Sequence, residues 1–184
     1  SERGYRPQLG TGSHRLLQFF PQNIVADFAV GGDAVLHLCR HMLSRQPALA
    51  GLKHLNRLEQ VLARSEWSDP LITDGLMLDA GGLVIETVSS NLFVIRAGQV
   101  QTPRLDQCGV AGIMRRVVME HLQVSVQETA LTLDDLYAAD EVFVTSSLRG
   151  IQPVVHLGCV HWQRGGATIA LQKQLQSFLA NTFL

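Results

Sequence analysis

The sequence predicts a single mixed α and β domain in which strands come in hairpins and helices are inserted between them. Two patterns carry this. Short apolar runs are separated by Gly-containing turns, as at Ala80-Gly81-Gly82 and Ala97-Gly98, and longer stretches have helical spacing, as over residues 109–122 and 168–183. Length sets the scale, because 184 residues bury one sizeable core.

Taken in order, residues 1–13 are rich in Gly, Arg and Ser and read as loop or strand edge. Residues 16–30 hold short apolar runs broken by Pro21 and suggest strands. Gly31-Gly32-Asp33 is a turn, with Asp33 as a candidate N-cap. Residues 34–43 show helical spacing in Val35, Leu38 and Met42. Residues 52–65 are an amphipathic helix candidate with Leu55, Leu58, Val61 and Leu62 on one face. A buried strand over 74–79, a tight turn and a returning strand over 83–87 form a hairpin. Strands follow over 91–96 and 99–101. The helix over 109–122 has the stripe Val110, Ile113, Met114, Val117 and Val118. A strand over 124–128 precedes a short helix opened by Thr132 and Asp135 as a capping box. Strands over 141–145 and 152–157 and a closing amphipathic helix complete the chain.

Composition excludes several function classes. Apolar residues make up 46% and charged residues 17%, a globular balance that excludes disorder. The net charge is -1 and no basic block stands out, so there is no footprint for nucleic acid. The longest apolar stretch, 83–95, is interrupted by Glu86, Ser89, Ser90 and Asn91, so no membrane span is expected. The opening residues hold no apolar leader run. Cys39, Cys108 and Cys159 are odd in number and widely spaced, which argues against a disulfide framework and for a reducing, cytoplasmic setting.

Four places could carry chemistry. The chain has 13 Arg but only two Lys, Lys53 and Lys173. Lys53 follows Gly51 and lies between Leu52 and Leu55, where its amine is expected to lose water and become a nucleophile toward carbonyls. A surface Lys at a helix start is the ordinary alternative. Glu86 is a carboxylate inside an apolar strand and needs a partner, for which a protonated ring nitrogen would serve; a half-exposed strand with Glu86 facing solvent is the alternative. Ser89, Ser90 and Asn91 after it could bond a turn or a ligand. Gly109-Val110-Ala111-Gly112-Ile113-Met114-Arg115 offers free backbone N–H groups at a helix start, which favour an anion such as phosphate. It matches neither common nucleotide-binding Gly pattern, and most such helix starts bind nothing. Thr145-Ser146-Ser147 ends a strand, where hydroxyls either complete a phosphate cup or form a turn. His37, Cys39 and His41 on a helix would not converge, and His156, Cys159 and His161 lack a ligand spacing, so no metal site is expected. Ser13-His14 has no acidic orienter and makes no triad.

In this order and spacing, the Lys, the Glu followed by Ser-Ser-Asn, the Gly-Ile-Met-Arg helix start and the Thr-Ser-Ser strand end resemble the fold-type IV pyridoxal-phosphate enzymes. That group includes branched-chain and D-amino-acid aminotransferases and the aminodeoxychorismate lyases. The stretches 49–62 and 102–115 and the segment Arg3-Gly4-Tyr5 look most like the lyases.

The resemblance implies a mixed α/β large domain over residues 1–184, with strand hairpins wrapped as a pseudo-barrel and flanked by helices. It also implies a smaller N-terminal domain, to which nothing in this chain corresponds. The cofactor would be pyridoxal 5'-phosphate. Lys53 would hold it and act as acid and base. Glu86 would pair with its ring nitrogen, Arg57 would lie near its phenolate side, and Val110 would pack on the ring. Ile113 and Met114 backbone N–H groups would hold the phosphate, with a hydroxyl from Ser146 or Ser147, and Asn91 would belong to the same cofactor site. Arg3 and Tyr5 would face a small-molecule substrate, Arg3 by binding a carboxylate. The reaction implied is cleavage of 4-amino-4-deoxychorismate to 4-aminobenzoate and pyruvate in folate biosynthesis. A homodimer is expected by the same likeness. An aminotransferase on the same scaffold is one alternative, and a non-catalytic folding or dimerisation module is another.

Overall fold

The structure is a computed structural model that describes residues 15–19 and 32–183. Arg3, Tyr5 and most of the strands expected over 16–30 lie outside the described residues.

The first element is β1 (Ala34–Leu38), followed by α1 (Leu58–Arg64) and the hairpin β2 (Asp74–Leu78) and β3 (Val84–Thr87). Next come β4 (Asn91–Arg96), β5 (Gln99–Pro103), α2 (Ile113–His121), β6 (Val126–Thr129) and α3 (Leu133–Tyr137). The last are β7 (Glu141–Ser146), β8 (Gly150–Leu157), β9 (Val160–His161) and α4 (Gly166–Phe183). The strands form one sheet in the order β3-β2-β1-β8-β7-β4-β5-β6, with β9 on β8. One antiparallel pair, Glu86 with Asn91, joins β3 back to β4. Six strands thereby close into a barrel, and β5 and β6 extend from it. Closure removes most of the exposed sheet edge.

Three apolar clusters hold this arrangement. All six barrel strands contribute to the first, through Leu36, Leu76, Val84, Leu92, Val144 and Val154 among others, which places it in the barrel interior. The second joins Phe93, Phe143 and Ile151 to Met114 and Val118 of α2 and Leu171 and Leu175 of α4. Phe93 and Phe143 face each other in register and stack at 4.7 Å between ring centroids. The third packs Met77 and Ile85 against Ala63, Trp67, Cys39 and Cys108. Each cluster needs the other face of a strand that serves a neighbouring cluster, so the sheet is apolar on both sides.

Three expectations are corrected. Residues 34–43 are not a helix. β1 runs parallel to both β2 and β8, and Ala34 and Leu36 alternate inward with period two. Sheet pairing therefore overrides the accidental spacing of Val35, Leu38 and Met42. Residues 52–57 are loop, and α1 is only seven residues long. Residues 109–112 are also loop, because Gly109 takes a φ of +87° that no continuing helix allows. The capping box on α3 is as expected, with the Asp135 N–H donating to Thr132 Oγ1 at 3.2 Å and the Thr132 N–H to Asp135 Oδ2 at 3.0 Å. No helix among the described residues is long and apolar enough to cross a membrane.

Candidate active site

The barrel-closing pair is also the centre of the site. Glu86 and Asn91 are 4% and 6% exposed and face one another where β3 meets β4. Both reach the loop 109–112. Glu86 Oε2 accepts the Val110 N–H at 2.8 Å. Asn91 Oδ1 accepts the Gly112 N–H at 3.1 Å, and Asn91 Nδ2 donates to the Val110 carbonyl at 2.7 Å. Gly112 must be glycine for this, because a Cβ there would fall on Asn91 Oδ1.

The same loop is tied to the segment that carries Lys53. The Gly51 N–H donates to the Gly109 carbonyl at 2.9 Å, and the Ala111 N–H to the Gly51 carbonyl at 3.0 Å. Arg57 then shapes the segment from within, donating from Nε to the His54 carbonyl at 2.9 Å and from its terminal nitrogen to the Leu52 carbonyl at 3.1 Å. Lys53 is thus held two residues from a backbone bridge to the loop that Glu86 bonds. The desolvation expected at Lys53 is not supplied by the described residues, since Leu52, Lys53 and Leu55 are all exposed. A cavity of about 300 Å³ opens beside this segment, lined by Leu49, His54, Arg57, Gln60, Cys108 and Gly109.

Burial pushes the Glu86 carboxyl up to about 7; the Val110 N–H and the positive charges of Arg57 and Lys53 oppose this, while Asp74 adds to it. One donor among the described residues is little for a buried carboxylate, and a cationic partner at Glu86 would suit it. Burial also raises the Cys108 thiol to about 11, so it stays neutral beside the cavity.

Beyond Gly112, α2 starts with no side-chain cap and no acidic residue in its first turn. Its first N–H groups, from Ile113 and Met114, are available to an anion. The Ile113 side chain is exposed and the Met114 side chain is buried in the second cluster. Thr145 lies opposite Asn91 across β4 and β7, and its hydroxyl is buried without a hydrogen-bond partner among the described residues. Ser146 and Ser147 follow it at the strand end; Ser146 Oγ accepts the Arg149 N–H at 3.2 Å, and Ser147 is exposed. An uncapped helix start, an orphaned hydroxyl and two more hydroxyls next to it are features that suit a phosphate group.

The structure therefore gathers Lys53, Arg57, Glu86, Asn91 and Val110 around one loop, with Ile113, Met114 and the 145–147 strand end beside it. Sequence reasoning missed Asp74, whose carboxylate accepts the hydroxyls of Thr87, Ser89 and Ser90 in the turn between Glu86 and Asn91. The signal was present. Asp74 is an acid in an apolar strand, like Glu86, and three hydroxyl residues follow at 87, 89 and 90. The histidine and cysteine groupings form no metal cluster among the described residues. His37 and His41 instead bond Glu66, at 3.1 and 2.6 Å.

A strand barrel thus brings a Lys-bearing segment, a buried Glu and an uncapped helix start to one loop. The sequence comparisons give the family: residues 15–157 match amino-transferase class IV, and the chain belongs to that family. The chain is 48% identical over 122 residues to aminodeoxychorismate lyase of Vibrio harveyi, covering 65% of this chain and 45% of that protein. The crystal structure of 4-amino-4-deoxychorismate lyase from Pseudomonas aeruginosa superposes with a TM-score of 0.77 at 46% identity, over 80% of this chain and 56% of that one. The branched-chain amino acid aminotransferase of T.th., complexed with N-(5'-phosphopyridoxyl)-L-glutamate, superposes with a TM-score of 0.70 at 27% identity, over 82% of this chain and 54% of that one. The chain thus spans about half the length of these relatives.

Proposed function

We propose that this chain carries the pyridoxal-phosphate site of an aminodeoxychorismate lyase, which cleaves 4-amino-4-deoxychorismate to 4-aminobenzoate and pyruvate. One observation carries the reading: the loop 109–112 is bonded at once to Gly51 of the Lys53 segment, to Glu86 and to Asn91. The segment that carries the amine, a buried carboxylate and an anion-receptive helix start thus meet at one loop. Their chemistry matches the aldehyde, ring nitrogen and phosphate of this cofactor. Similarity to lyases from two organisms supports the lyase reaction within the family.

Bound there, the cofactor supplies an electron sink for a bond broken at an amine-bearing carbon. The protein's own residues do the rest. Glu86 would hold the ring nitrogen in its protonated form. The N–H groups of Ile113 and Met114, with a hydroxyl from Ser146 or Ser147, would bind the phosphate. Val110 would pack against the ring, and Arg57 would serve its phenolate oxygen. Lys53 would hold the cofactor through its amine, and as a free amine its Nζ would take the proton from the amine-bearing carbon of the substrate and return a proton to the departing enolpyruvate. The three free thiols suit a cytoplasmic setting.

A homodimer belongs to the same proposal. Leu52, Leu55, Leu58, Val61 and Leu62 are exposed along the Lys53 segment and α1, a larger apolar strip than scattered surface residues make.

The test is to reduce the chain with borohydride in the presence of pyridoxal phosphate and map the adduct by peptide mass. An adduct on Lys53, lost in Lys53→Ala together with 4-aminobenzoate formation, is the expected result. Binding with no adduct at Lys53 would overturn the assignment. The family's aminotransferases make a second reading specific. Conversion of the bound cofactor to its amine form by an amino acid, without pyruvate release from 4-amino-4-deoxychorismate, would select it.

A further inference from the structure

Between Glu86 and Asn91 lie only four residues, Thr87, Val88, Ser89 and Ser90. This turn decides whether the two side chains meet the loop 109–112 together. Its own bonds are few. Thr87 N–H donates to the Ser90 carbonyl at 2.8 Å, Ser90 N–H donates to Thr87 Oγ1 at 2.9 Å, and Val88 N–H donates to the Gly75 carbonyl at 2.8 Å. The Thr87 hydroxyl also lies 3.0 Å from the Ser90 carbonyl, but its shorter contact, and those of the two serine hydroxyls, are to one acid from the neighbouring strand. Asp74 Oδ2 accepts the hydroxyls of Thr87 at 2.7 Å, Ser89 at 2.7 Å and Ser90 at 3.2 Å. Asp74 Oδ1 accepts the Gly75 N–H at 2.8 Å. Asp74 is 4% exposed, so these donors take the place of water around its charge.

We propose that Asp74 is the positioning residue of this site: by gathering the hydroxyls of Thr87, Ser89 and Ser90, its carboxylate sets the turn that aims Glu86 and Asn91 at the cofactor loop. A carboxylate suits this task because it offers only acceptors, so each hydroxyl is obliged to point inward. An Asn in its place would present a donor to at least one of the four donors now bonded. The charge has a second effect, since Asp74 stands close enough to raise the proton affinity of Glu86. The role of Asp74 toward the cofactor rests on the proposed function, but its role toward the loop does not.

The loop amides give a readout that needs no cofactor. Val110 N–H is held by Glu86 and Gly112 N–H by Asn91, so their hydrogen exchange in the cofactor-free chain reports the aim of both side chains. In Asp74→Asn, and independently in the double variant Ser89→Ala/Ser90→Ala, exchange at both amides should speed about tenfold relative to the barrel core. The dissociation constant for pyridoxal phosphate should rise about tenfold with it.

Asp79→Asn is the control. Asp79 sits just beyond the other end of β2 and binds Arg45 and the Gly81 and Leu83 N–H groups. It should lower the melting temperature and leave the two amides at the rate of the core. Unchanged exchange at Val110 and Gly112 in a folded Asp74→Asn chain would overturn the inference, as would equal acceleration in Asp79→Asn. Should Asp74→Asn fail to fold, the serine double variant, which keeps the carboxylate, decides. If the unaltered chain binds no pyridoxal phosphate while the exchange pattern is as expected, the positioning role stands and the cofactor reading falls.

Discussion

Glu86 has its proton affinity raised from 4.5 to about 7, first by burial, and this makes a stability prediction with a definite sign. The folded chain keeps the proton in a pH range where the unfolded chain has released it. Stability therefore falls as pH rises from 4.5 to about 7 and is flat above that. Glu86→Gln removes the penalty while its side-chain oxygen can still accept the Val110 N–H. In the cofactor-free chain, the variant should gain on the parent progressively across that window, by roughly 2–3 kcal/mol at about pH 8. Urea unfolding at each end of the window checks it, and a gap independent of pH would mean that Glu86 is not titrating there. The same variant should lose pyridoxal-phosphate binding, because an amide cannot stabilise a protonated ring nitrogen by charge. A residue that costs stability and is needed for binding is what a site residue looks like when the local rules of burial fail.

At the scale of elements, Glu66 organises the segment whose spacing suggests a helix with scattered histidines. It follows α1, and its carboxylate accepts the backbone N–H groups of Arg40 and His41 and bonds the rings of His37 and His41. Burial alone would raise its proton affinity, but those hydrogen bonds outweigh it and hold the carboxyl well below the usual range. Its stabilisation is therefore complete above pH 4.5 and is lost as pH falls below that. Glu66→Gln should cost about 2–4 kcal/mol at about pH 7, with a gap that narrows toward about pH 3, as measured by denaturant unfolding. Elements with strong local signals were legible: β4 has the expected bounds, and α3 has the expected capping box. Lys53, Glu86 and the glycines of 109–112 stood out in the sequence because each breaks a local pattern, and the structure brings Glu86 and the Lys53 segment to that one loop, although its loop form was not foreseen. β1 was not legible, since its identity comes from parallel neighbours distant in sequence. Asp74 was legible as an acid in an apolar strand, but its partners were not, because they reach it only once the turn at 87–90 folds back on β2.

For the whole molecule, mixed class follows from alternating hairpins and helices, but barrel closure rests on a single pair, Glu86 with Asn91, that no periodicity marks. Residues 52–65 have the spacing of an amphipathic helix with Leu55, Leu58, Val61 and Leu62 on one face, a face that would ordinarily turn to the core. Instead Leu55, Leu58, Val61 and Leu62 are 102%, 63%, 61% and 42% exposed, while Gln60 and Ala63 face inward. A stripe spaced for burial but turned outward is what a subunit interface needs, and it runs along the segment that carries Lys53. If the stripe meets its own copy around a two-fold axis, each site is walled partly by the partner, and Lys53 gains the desolvation that the described residues of its own chain do not supply. Leu55→Asp/Val61→Asp would then place like-charged carboxylates from both copies in the shared contact. Sedimentation at micromolar concentration should show the parent chain at twice its formula mass and the variant at one formula mass, with its melting curve otherwise intact. Borohydride trapping at Lys53 should become slower in the monomer than in the dimer. A variant that still sediments as a dimer would place the interface elsewhere, and equal trapping in monomer and dimer would show that pairing does nothing for the amine.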